Sequence, residues 1–387
     1  MRAGELLAMP EEDLRARTSI KWSRVPASVI AADIAELDFR VAEPILDAVR
    51  RAVRYSDFGY PDYSSGTPAR LAEVFARRAE RRFGWLPDAG RVETCSTIMQ
   101  ALSCAILAYS SPGDRIVTHA PTYRPIVEAI EALGRTCVMI PVRNLGDVSE
   151  LDSASGRLAT TPIRMIVLCN PHNPTGHVFD RRTLQVIGEF ACREGAVVFS
   201  DEIYHDLVYE HSGFASAAAV DGLRQRSLVF TAASKGFGTP GLRCAVGYFG
   251  SPGVHDIFGR LPWHLRGGAS LLGVNATIAA WESCDDWLDA LRDQLAANLA
   301  AAAGRLSGLP GVRFGLPRAT YFLWLDVRDS AAGGNPAHFL RTRARVALQP
   351  GDSFGSDFTR FARLNFATPP GRLAAILDRL AAALAGE

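Results

Sequence analysis

Short apolar runs alternate with helical patterns through the middle of the chain. Four of these runs span residues 115–118, 165–169, 196–199 and 228–230. Between them, residues 183–193 repeat apolar side chains at the spacing of one helix face. Strands that recur about every 30 residues with helices between them indicate βαβ units. We therefore predict an α/β fold with a largely parallel sheet.

Polar residues follow each of the four predicted strands. Tyr123 comes after the first, Asn173 after the second, Asp201 after the third and Lys235 after the fourth. Because the carboxyl ends of parallel strands meet at one edge of a sheet, we expect these side chains to share that edge. Several polar groups at one edge of an apolar sheet indicate a cofactor site.

The two ends of the chain follow another pattern. A helical segment rich in Ala and Leu at 287–306 is followed by short apolar segments at 320–326, 345–348 and 361–366, and by a further helix at 372–384. We predict a small α+β domain formed by residues 286–387 together with residues 1–45. Residues 46–285 are expected to form a large domain that binds the cofactor.

Composition narrows the class of protein. The chain has 387 residues, 48% of them hydrophobic, and a formal net charge of +1. These values are typical of a soluble enzyme and give no sign of nucleic-acid or membrane-surface binding. No apolar run approaches the roughly 20 residues of a membrane span. The apolar stretch at the N-terminus is too short for a signal peptide.

Two further residue types refine this view. The seven cysteines include no C-x-x-C pair, so we expect no metal site and a cytoplasmic protein. The arginines at positions 77, 78, 81 and 82 follow helical spacing and are interpreted as a solvated face.

Only two of the 42 basic residues are lysines, Lys21 and Lys235. Arginine cannot replace lysine where the chemistry needs an amine that loses its proton. Lys235 follows an apolar strand and is interpreted as a Schiff-base lysine, with a solvated loop lysine as the alternative. Lys21 lies in a polar N-terminal stretch and is interpreted as solvated.

Six short motifs, spread over almost the whole chain, carry a family resemblance. They are Ser19-Ile20-Lys21-Trp22, Ala35-Glu36-Leu37-Asp38-Phe39, Phe58-Gly59-Tyr60, residues 170–176 with His172, residues 350–355 and residues 361–366. In this order they resemble signatures of the MalY/PatB group of cystathionine β-lyase-type C–S lyases. That group lies within the fold type I pyridoxal phosphate enzymes of the aminotransferase class I/II superfamily.

The resemblance implies a fold, a cofactor and an assembly. The fold would be aspartate-aminotransferase-like, with a large, mostly parallel-sheet domain that binds pyridoxal 5′-phosphate and a smaller α+β domain. The assembly would be a homodimer with active sites at the subunit interface, acting on an amino-acid substrate.

The resemblance also implies a role for each matching residue. Lys235 would bind the cofactor covalently and move the substrate Cα proton, while Asp201 would pair with the pyridinium nitrogen. The other implied contacts are Tyr204 and Asn173 with the ring hydroxyl, Tyr123 with the ring face, and Thr97, Ile98, Met99, Ser234 and Arg243 with the phosphate. Tyr60 would reach the phosphate of the neighbouring subunit. Arg363 would bind the substrate α-carboxylate, with Asn173 and Tyr60 near the substrate.

Most of these residues have a plainer alternative. Asp201 suits a helix N-cap, and Asn173 suits a turn. Tyr123 suits a core position, and Arg363 suits a surface ion pair. Three histidines, His119, His205 and His264, are interpreted as structural.

Three departures from the family pattern bear on the site. Thr97 replaces the glycine of the phosphate cradle, and a β-branched residue does not adopt positive φ easily. Asp33-Ile34-Ala35-Glu36 replaces Trp-Val-Ala-Asp, and Gly238 replaces an asparagine. The last two fall near the expected substrate pocket, so the substrate is expected to be unusual.

The leading hypothesis is a C–S β-lyase that converts an L-cysteine thioether or conjugate into a thiol, pyruvate and ammonia. The alternative is an aminotransferase, or an oxidative deaminase or decarboxylase of a related thioether in specialised metabolism, because Arg243 belongs to a more aminotransferase-like motif. A third hypothesis is a regulator that binds a partner protein without catalysis. The presence of Lys235, Asp201 and Arg363 argues against it.

Overall fold

The structure is a computed structural model that describes residues 7, 9–63, 66–156, 161–209 and 213–386. The chain divides into two compact units. The large unit contains Ala42–Pro171 and Val178–Asp285, and the small unit contains Met1–Val41, His172–His177 and Asp286–Glu387.

A seven-stranded sheet forms the centre of the large unit. Its strands are β2 (Val92–Cys95), β3 (Arg115–Ala120), β4 (Thr136–Pro141), β5 (Ile163–Cys169), β6 (Val197–Asp201), β7 (Ser227–Thr231) and β8 (Ala245–Phe249), in the order β2-β8-β7-β6-β5-β3-β4. Strands β7, β6, β5, β3 and β4 run parallel to one another. Strand β8 runs antiparallel to both β7 and β2. The predicted, largely parallel sheet is confirmed.

Helices cover this sheet. They are α3 (Glu43–Tyr55), α4 (Thr67–Phe83), α5 (Ile98–Tyr109), α6 (Arg124–Ala132), α7 (Val148–Ser155), α8 (Arg181–Glu194), α9 (Ala233–Gly236), α10 (Pro252–Gly259), α11 (Trp263–Arg266) and α12 (Leu271–Ser283). The helix predicted at 183–193 corresponds to α8. Asp180 caps its first turn by accepting a hydrogen bond from the Thr183 amide, and Gly195 ends it in a left-handed conformation.

The core beneath the site lies between the sheet and α5. Helix α5 contributes its apolar face, including Leu102 and Ile106, and the sheet contributes Phe199 and Phe230. These two aromatic rings stack with centroids 5.0 Å apart. This packing fixes the position of α5 relative to the strand ends, because closely packed side chains of this size leave the helix little room to move.

The small unit has the predicted α+β character. Its helices are α1 (Glu11–Arg15), α2 (Ile20–Ser23), α13 (Asp285–Leu306), α14 (Pro336–Arg343) and α15 (Pro370–Ala385). An antiparallel sheet has the order β11 (Gln349–Pro350), β12 (Phe361–Asn365) and β9 (Phe322–Asp326), and β1 (Ile30–Ala31) pairs in parallel with β10 (Val346–Ala347). No helix in the described parts of the chain combines the length and hydropathy needed to cross a membrane.

The interpretation of Lys21 as a solvated residue was wrong. Its side chain is 1% exposed, and its Nζ lies 2.8 Å from Oδ1 of Asp38, which is fully buried. The Nζ also donates to the carbonyl oxygen of Glu36 at 3.3 Å. The partner carboxylate lies 17 residues further along the chain, so a local reading of polarity does not detect the pair.

The interpretation of the arginine cluster on α4 as a solvated face was wrong for Arg78. Its guanidinium is 2% exposed and lies 2.7 Å from Oδ1 of Asp206 and 2.7 Å from Oδ1 of Asp285. It also lies over the ring of Phe237, 5.7 Å from the centroid. Arg77, the preceding residue, is exposed. One turn of helix therefore presents one arginine to the core and one to solvent.

We expect Arg78→Met to lower the free energy of unfolding by about 3–5 kcal/mol, because it removes the nearest cation from the buried carboxylate of Asp206. Arg77→Met is the matched control, since it removes the neighbouring arginine from an exposed position, and we expect a change within about 0.5 kcal/mol. Urea unfolding at pH 7 measures both. Equal losses in the two variants would contradict the assignment of Arg78 to a buried pair.

Candidate active site

The carboxyl ends of β5, β6 and β7 lie side by side. Cys169 is in register with Asp201, and Asp201 is in register with Phe230. The chain leaves the sheet just beyond this row, into the 170–176 segment, the Tyr204 turn and the short helix α9 that carries Lys235. The ends of β5, β6 and β7, which lead into the motifs with Asn173, Asp201 and Lys235, therefore share one edge of the sheet as predicted.

Asp201 is the last residue of β6 and lies within charge-interaction range of Lys235. Burial raises the pKa of Asp201 to about 7, against the opposing effects of the Ile203 amide and the positive charge of Lys235. The Ile203 amide donates to Oδ1 at 3.0 Å. Asp201 thus closes a tight turn and does not cap a helix. Because burial disfavours its charged form, a neighbouring cation would stabilise the Asp201 carboxylate.

Glu202, a residue that the sequence did not single out, lies next to Asp201 and is buried. Its Oε1 accepts hydrogen bonds from the hydroxyls of Ser200 and Ser216, both at 3.1 Å, and from the Ala217 amide at 2.8 Å. Burial nevertheless raises the pKa of Glu202 to about 8. Burial therefore raises the pKa of two adjacent carboxyl groups at the end of one strand.

The two predicted tyrosines differ in exposure. Tyr204 is buried, immediately before the short 3₁₀ helix His205–Leu207. Tyr123 is 43% exposed and sits at the N-terminus of α6. The alternative of a core position therefore fails for Tyr123, whose partly exposed ring suits stacking on a planar ligand.

Helix α5 begins at the predicted phosphate cradle. Thr97 is its N-cap, with an extended φ of −152°, and the Thr97 side chain accepts a hydrogen bond from the Gln100 amide at 3.0 Å. The replacement of glycine by threonine therefore requires no positive φ here. Ile98 and Met99 supply the first two amides of the helix, which have no partner within the helix and favour an anion.

Gln100 fixes this helix start from its side chain. Its Oε1 accepts hydrogen bonds from the amide and the hydroxyl of Ser96, at 2.9 Å and 2.7 Å. Its Nε2 donates to the carbonyl oxygens of Leu265 and Gly267, at 2.7 Å and 2.9 Å. The sequence contained a signal for this arrangement, because Thr97 followed three residues later by Gln100 matches a capping box.

Two further predicted phosphate contacts lie in the large unit. Ser234 is half-buried on α9, one residue before Lys235. Arg243 is exposed and has a left-handed backbone, with φ of 54°. Non-glycine residues in this region are uncommon and are found at ligand sites more often than elsewhere.

Arg363 lies on β12 of the small unit and is 4% exposed. Its Nη1 donates to Oδ1 of Asn173 at 2.8 Å, and its Nη2 donates to the carbonyl oxygen of Asp33 at 2.7 Å. Its guanidinium also lies over the ring of Phe322, 4.0 Å from the centroid. Arg363 is therefore not in a surface ion pair, and the structure brings together two residues predicted from different parts of the sequence.

Three histidines and one tyrosine complete the predicted set. His119 uses Nε2 to accept from the Cys169 amide and Nδ1 to contact the carbonyl oxygen of Pro121, and Nε2 of His205 contacts the Thr231 hydroxyl. These contacts agree with structural roles. His264 lies on α11, where the side chains are not buried. Tyr60 is fully exposed on the large unit.

Metal-ligating residues do not cluster in the described ranges, where no group of three or more His, Cys, Asp or Glu side chains is placed to hold an ion.

Comparisons with known proteins give one consistent family. The sequence model of the family "Aminotransferase class I and II" matches residues 57–380. The chain is 31% identical to cystathionine β-lyase of Corynebacterium glutamicum, over 98% of this chain and 100% of that protein. It is 30% identical to cystathionine β-lyase PatB of Bacillus subtilis, over 95% and 96% of the two chains. Among solved structures, OvoB superimposes with a TM-score of 0.89 at 30% identity, covering 99% of both chains.

We expect the Glu202→Gln variant to gain stability relative to the wild type as pH rises. The pKa of Glu202 is raised in the folded state, so its contribution to stability is complete below the unfolded pKa of about 4.3 and is lost as pH rises towards 8. Glutamine does not titrate. Between pH 5 and pH 8 the difference in unfolding free energy should move in favour of the variant by about 3 kcal/mol.

Urea unfolding at several pH values measures this difference. Glu189→Gln, at an exposed position on α8, is the control and should follow the wild type throughout. A Glu202→Gln curve parallel to the wild-type curve would show that Glu202 is ionised in the folded protein.

Proposed function

We propose a pyridoxal 5′-phosphate-dependent carbon–sulfur β-lyase activity for this chain, which belongs to the aminotransferase class I and II family and to its group of cystathionine β-lyases. The observation that carries the proposal is the register of β6 and β7, which places Asp201 opposite Phe230, just before the short helix that carries Lys235. The substrate would be an L-cysteine thioether or conjugate.

The residues of the large unit fit this cofactor. A pyridinium nitrogen beside Asp201 would supply the cation that stabilises its carboxylate, which burial otherwise disfavours. A phosphate would meet the amides of Ile98 and Met99 at the start of α5, where the helix dipole favours negative charge. The partly exposed ring of Tyr123 would stack on the pyridine, while Tyr204 would donate to the ring hydroxyl.

Pyridoxal phosphate, when bound, supplies an electron sink that makes the substrate Cα proton acidic. Lys235 is the residue proposed to remove that proton, since an amine whose pKa is lowered by a nearby cation can act as a base. Asp201 holds the positive charge in place during this transfer. Lys235 then returns a proton at the end of the cycle, which restores the resting enzyme.

The small unit is proposed to bind the substrate α-carboxylate. The planar fork of Arg363 suits a bidentate contact with a carboxylate. Its contacts with Asn173 and the carbonyl of Asp33 fix the fork before substrate arrives. Removal of the Cα proton by Lys235 then allows the Cβ–S bond to break, with the electron pair leaving on sulfur. The thiolate takes up a proton, and water converts the remaining three carbons into pyruvate and ammonia.

The second candidate is transamination, or oxidative deamination or decarboxylation of a related thioether. Arg243, in its left-handed conformation, is the observation that favours it, because its motif is the more aminotransferase-like one. The lyase reaction and transamination both begin with removal of the Cα proton by Lys235. In the lyase reaction the Cβ–S bond would then break, whereas in transamination a proton would be returned to the cofactor instead. A difference of a few kcal/mol in the binding of the two transition states decides between them.

The organisation of the protein is part of the proposal. Residues 46–285 would bind the cofactor, and residues 1–45 with 286–387 would bind the substrate carboxylate. A cytoplasmic location is supported by the absence of any disulfide in the part of the chain that the structure describes, since a reducing compartment keeps thiols reduced. The functional unit would be a homodimer. Tyr55, Phe58 and Tyr60 all expose large rings within six residues, which suits a surface covered by a partner.

The cofactor and the reaction can be tested together. We expect the purified protein to show a visible absorbance band with pyridoxal phosphate and to release pyruvate and thiol from cystathionine or an S-alkyl-L-cysteine. Lys235→Ala and Lys235→Arg should both lose the band and the activity, because a guanidinium keeps the charge but does not form a Schiff base. Conversion of the cofactor to its amine form without pyruvate would favour transamination instead. No visible band in the wild type would contradict the cofactor.

The dimer can be tested by complementation. Tyr60→Ala and Lys235→Ala should each be nearly inactive alone, because one lacks the phosphate contact given to the neighbour and the other lacks the base. Co-expressed chains should recover up to about a quarter of wild-type activity, because half of the dimers are mixed and each carries one complete site. Sedimentation velocity provides the oligomeric state. An active monomer would contradict the proposal.

A further inference from the structure

Two N-terminal motifs, separate in the sequence, form one set of contacts in the small unit. We call Arg17, Ser19 and Lys21 the N-terminal contact set. Each of them donates hydrogen bonds to the 33–39 segment. The contacts are Arg17 Nη1 to the Leu37 carbonyl at 2.9 Å, Arg17 Nη2 to the Phe39 carbonyl at 2.9 Å, Ser19 Oγ to Glu36 Oε2 at 2.6 Å, and Lys21 Nζ to the Glu36 carbonyl at 3.3 Å. The family signatures around Lys21 and Asp38 are therefore two halves of one structural element.

Lys21 makes the only ion pair of this set that is wholly removed from solvent among the described residues. Its ammonium and the Asp38 carboxylate are 1% and 0% exposed. Arg372 comes no closer to Asp38 than 3.9 Å. A buried pair of this kind is a poor device for stability, because apolar side chains of similar volume often stabilise a core as well or better. Its presence in a chain that otherwise uses arginine calls for another explanation.

The 33–39 segment also contacts the proposed carboxylate-binding arginine. The Asp33 carbonyl accepts from Arg363 Nη2 at 2.7 Å. Asn365, two residues further along β12, donates from Nδ2 to the carbonyls of Ile34 and Glu36, at 2.6 Å and 2.8 Å. The Glu36 carbonyl thus receives both Lys21 and Asn365. A single carbonyl group connects the buried ammonium to the strand that carries Arg363.

We propose that Lys21 is a positioning residue for the carboxylate-binding arginine. Its ion pair with Asp38 and its contact with the Glu36 carbonyl hold the 33–39 segment, and this segment holds the Arg363 fork through the Asp33 carbonyl. The inference rests on the role proposed for Arg363. It also explains the lysine at position 21, since a compact ammonium fits between the Asp38 carboxylate and the Glu36 carbonyl.

The test compares two ligands that differ only in the carboxylate. L-Alanine has an α-carboxylate but no leaving group at Cβ, so it binds without elimination, and ethylamine lacks the carboxylate. Binding of each to the pyridoxal phosphate-loaded protein is followed by the change in cofactor absorbance. Lys21→Met should weaken L-alanine binding about tenfold or more, because small displacements of a binding group are costly, and should leave ethylamine binding unchanged. Arg363→Met gives the reference for complete loss of the carboxylate contact.

Two further variants separate positioning from stability. Leu380→Ala removes a buried side chain from α15, a helix outside the N-terminal contact set. It should destabilise the small unit and bind both ligands as the wild type does. Ser19→Ala removes a contact of the same set at a partly exposed position. It should shift L-alanine selectively by a smaller factor, even if Lys21→Met does not fold.

The outcomes distinguish this inference from the proposed function. Equal weakening of both ligands, or no weakening of L-alanine, in Lys21→Met and in Ser19→Ala would overturn the positioning role. If the wild-type protein has no lyase activity, the proposed reaction is overturned, but the comparison of L-alanine with ethylamine still tests the positioning role. An Arg363→Met protein that binds L-alanine normally would overturn the role of Arg363 itself and with it the inference.

Discussion

The parallel register of neighbouring strands is the constraint on which the rest of the site depends. Cys169, Asp201 and Phe230 form one row across β5, β6 and β7, so three chain segments leave the sheet at the same level. In an antiparallel sheet, alternate segments would leave at opposite edges. Asp201 and Lys235 lie close enough to interact because of this register, although 34 positions separate them in the sequence. The raised pKa of Asp201 then follows from its place at the end of a buried strand.

Each unit contains a buried ion pair next to a segment with a proposed role in the site. In the large unit, Asp206 pairs with Arg78 and lies against Gly236, the residue after Lys235, where an added Cβ would come within 3.1 Å of the Asp206 side chain. Burial acts to raise the pKa of Asp206, but the charges of Arg78 and His205 outweigh it, so the pKa lies well below its usual range. An ion pair of this kind costs desolvation energy and resists displacement, which suits a support for a residue that must keep its position.

The features that the sequence predicts well are those with a local pattern or an uninterrupted motif. The alternation of apolar and helical segments predicted the large sheet, and the ordered motifs identified the family. The burial of Lys21 and Arg78 could not be predicted, because their partners, Asp38 and Asp206, are distant in the sequence. The pattern along one helix face does not show which of its charged side chains is buried. The Arg363–Asn173 contact was also beyond reach, since 190 positions separate the two residues. Glu202 was missed because two of its three donors, the Ser216 hydroxyl and the Ala217 amide, lie 14 and 15 residues away in the sequence.

The contacts that orient Arg363 do not distinguish the two candidate reactions. A guanidinium has five N–H donors, and the contacts with Asn173 and the Asp33 carbonyl orient the group while using two of them. The ring of Phe322, 4.0 Å away, fixes the plane of the fork. A substrate carboxylate held there, as proposed, would anchor the substrate at one end, and a second anchor at its amine would be needed to fix the direction of the Cα–H bond. Lyase and transaminase chemistry both need that bond broken, so this geometry serves either reaction. The choice between them must come from groups that contact Cβ and sulfur, and the departures at Asp33 and Gly238 place sequence differences among the residues expected there.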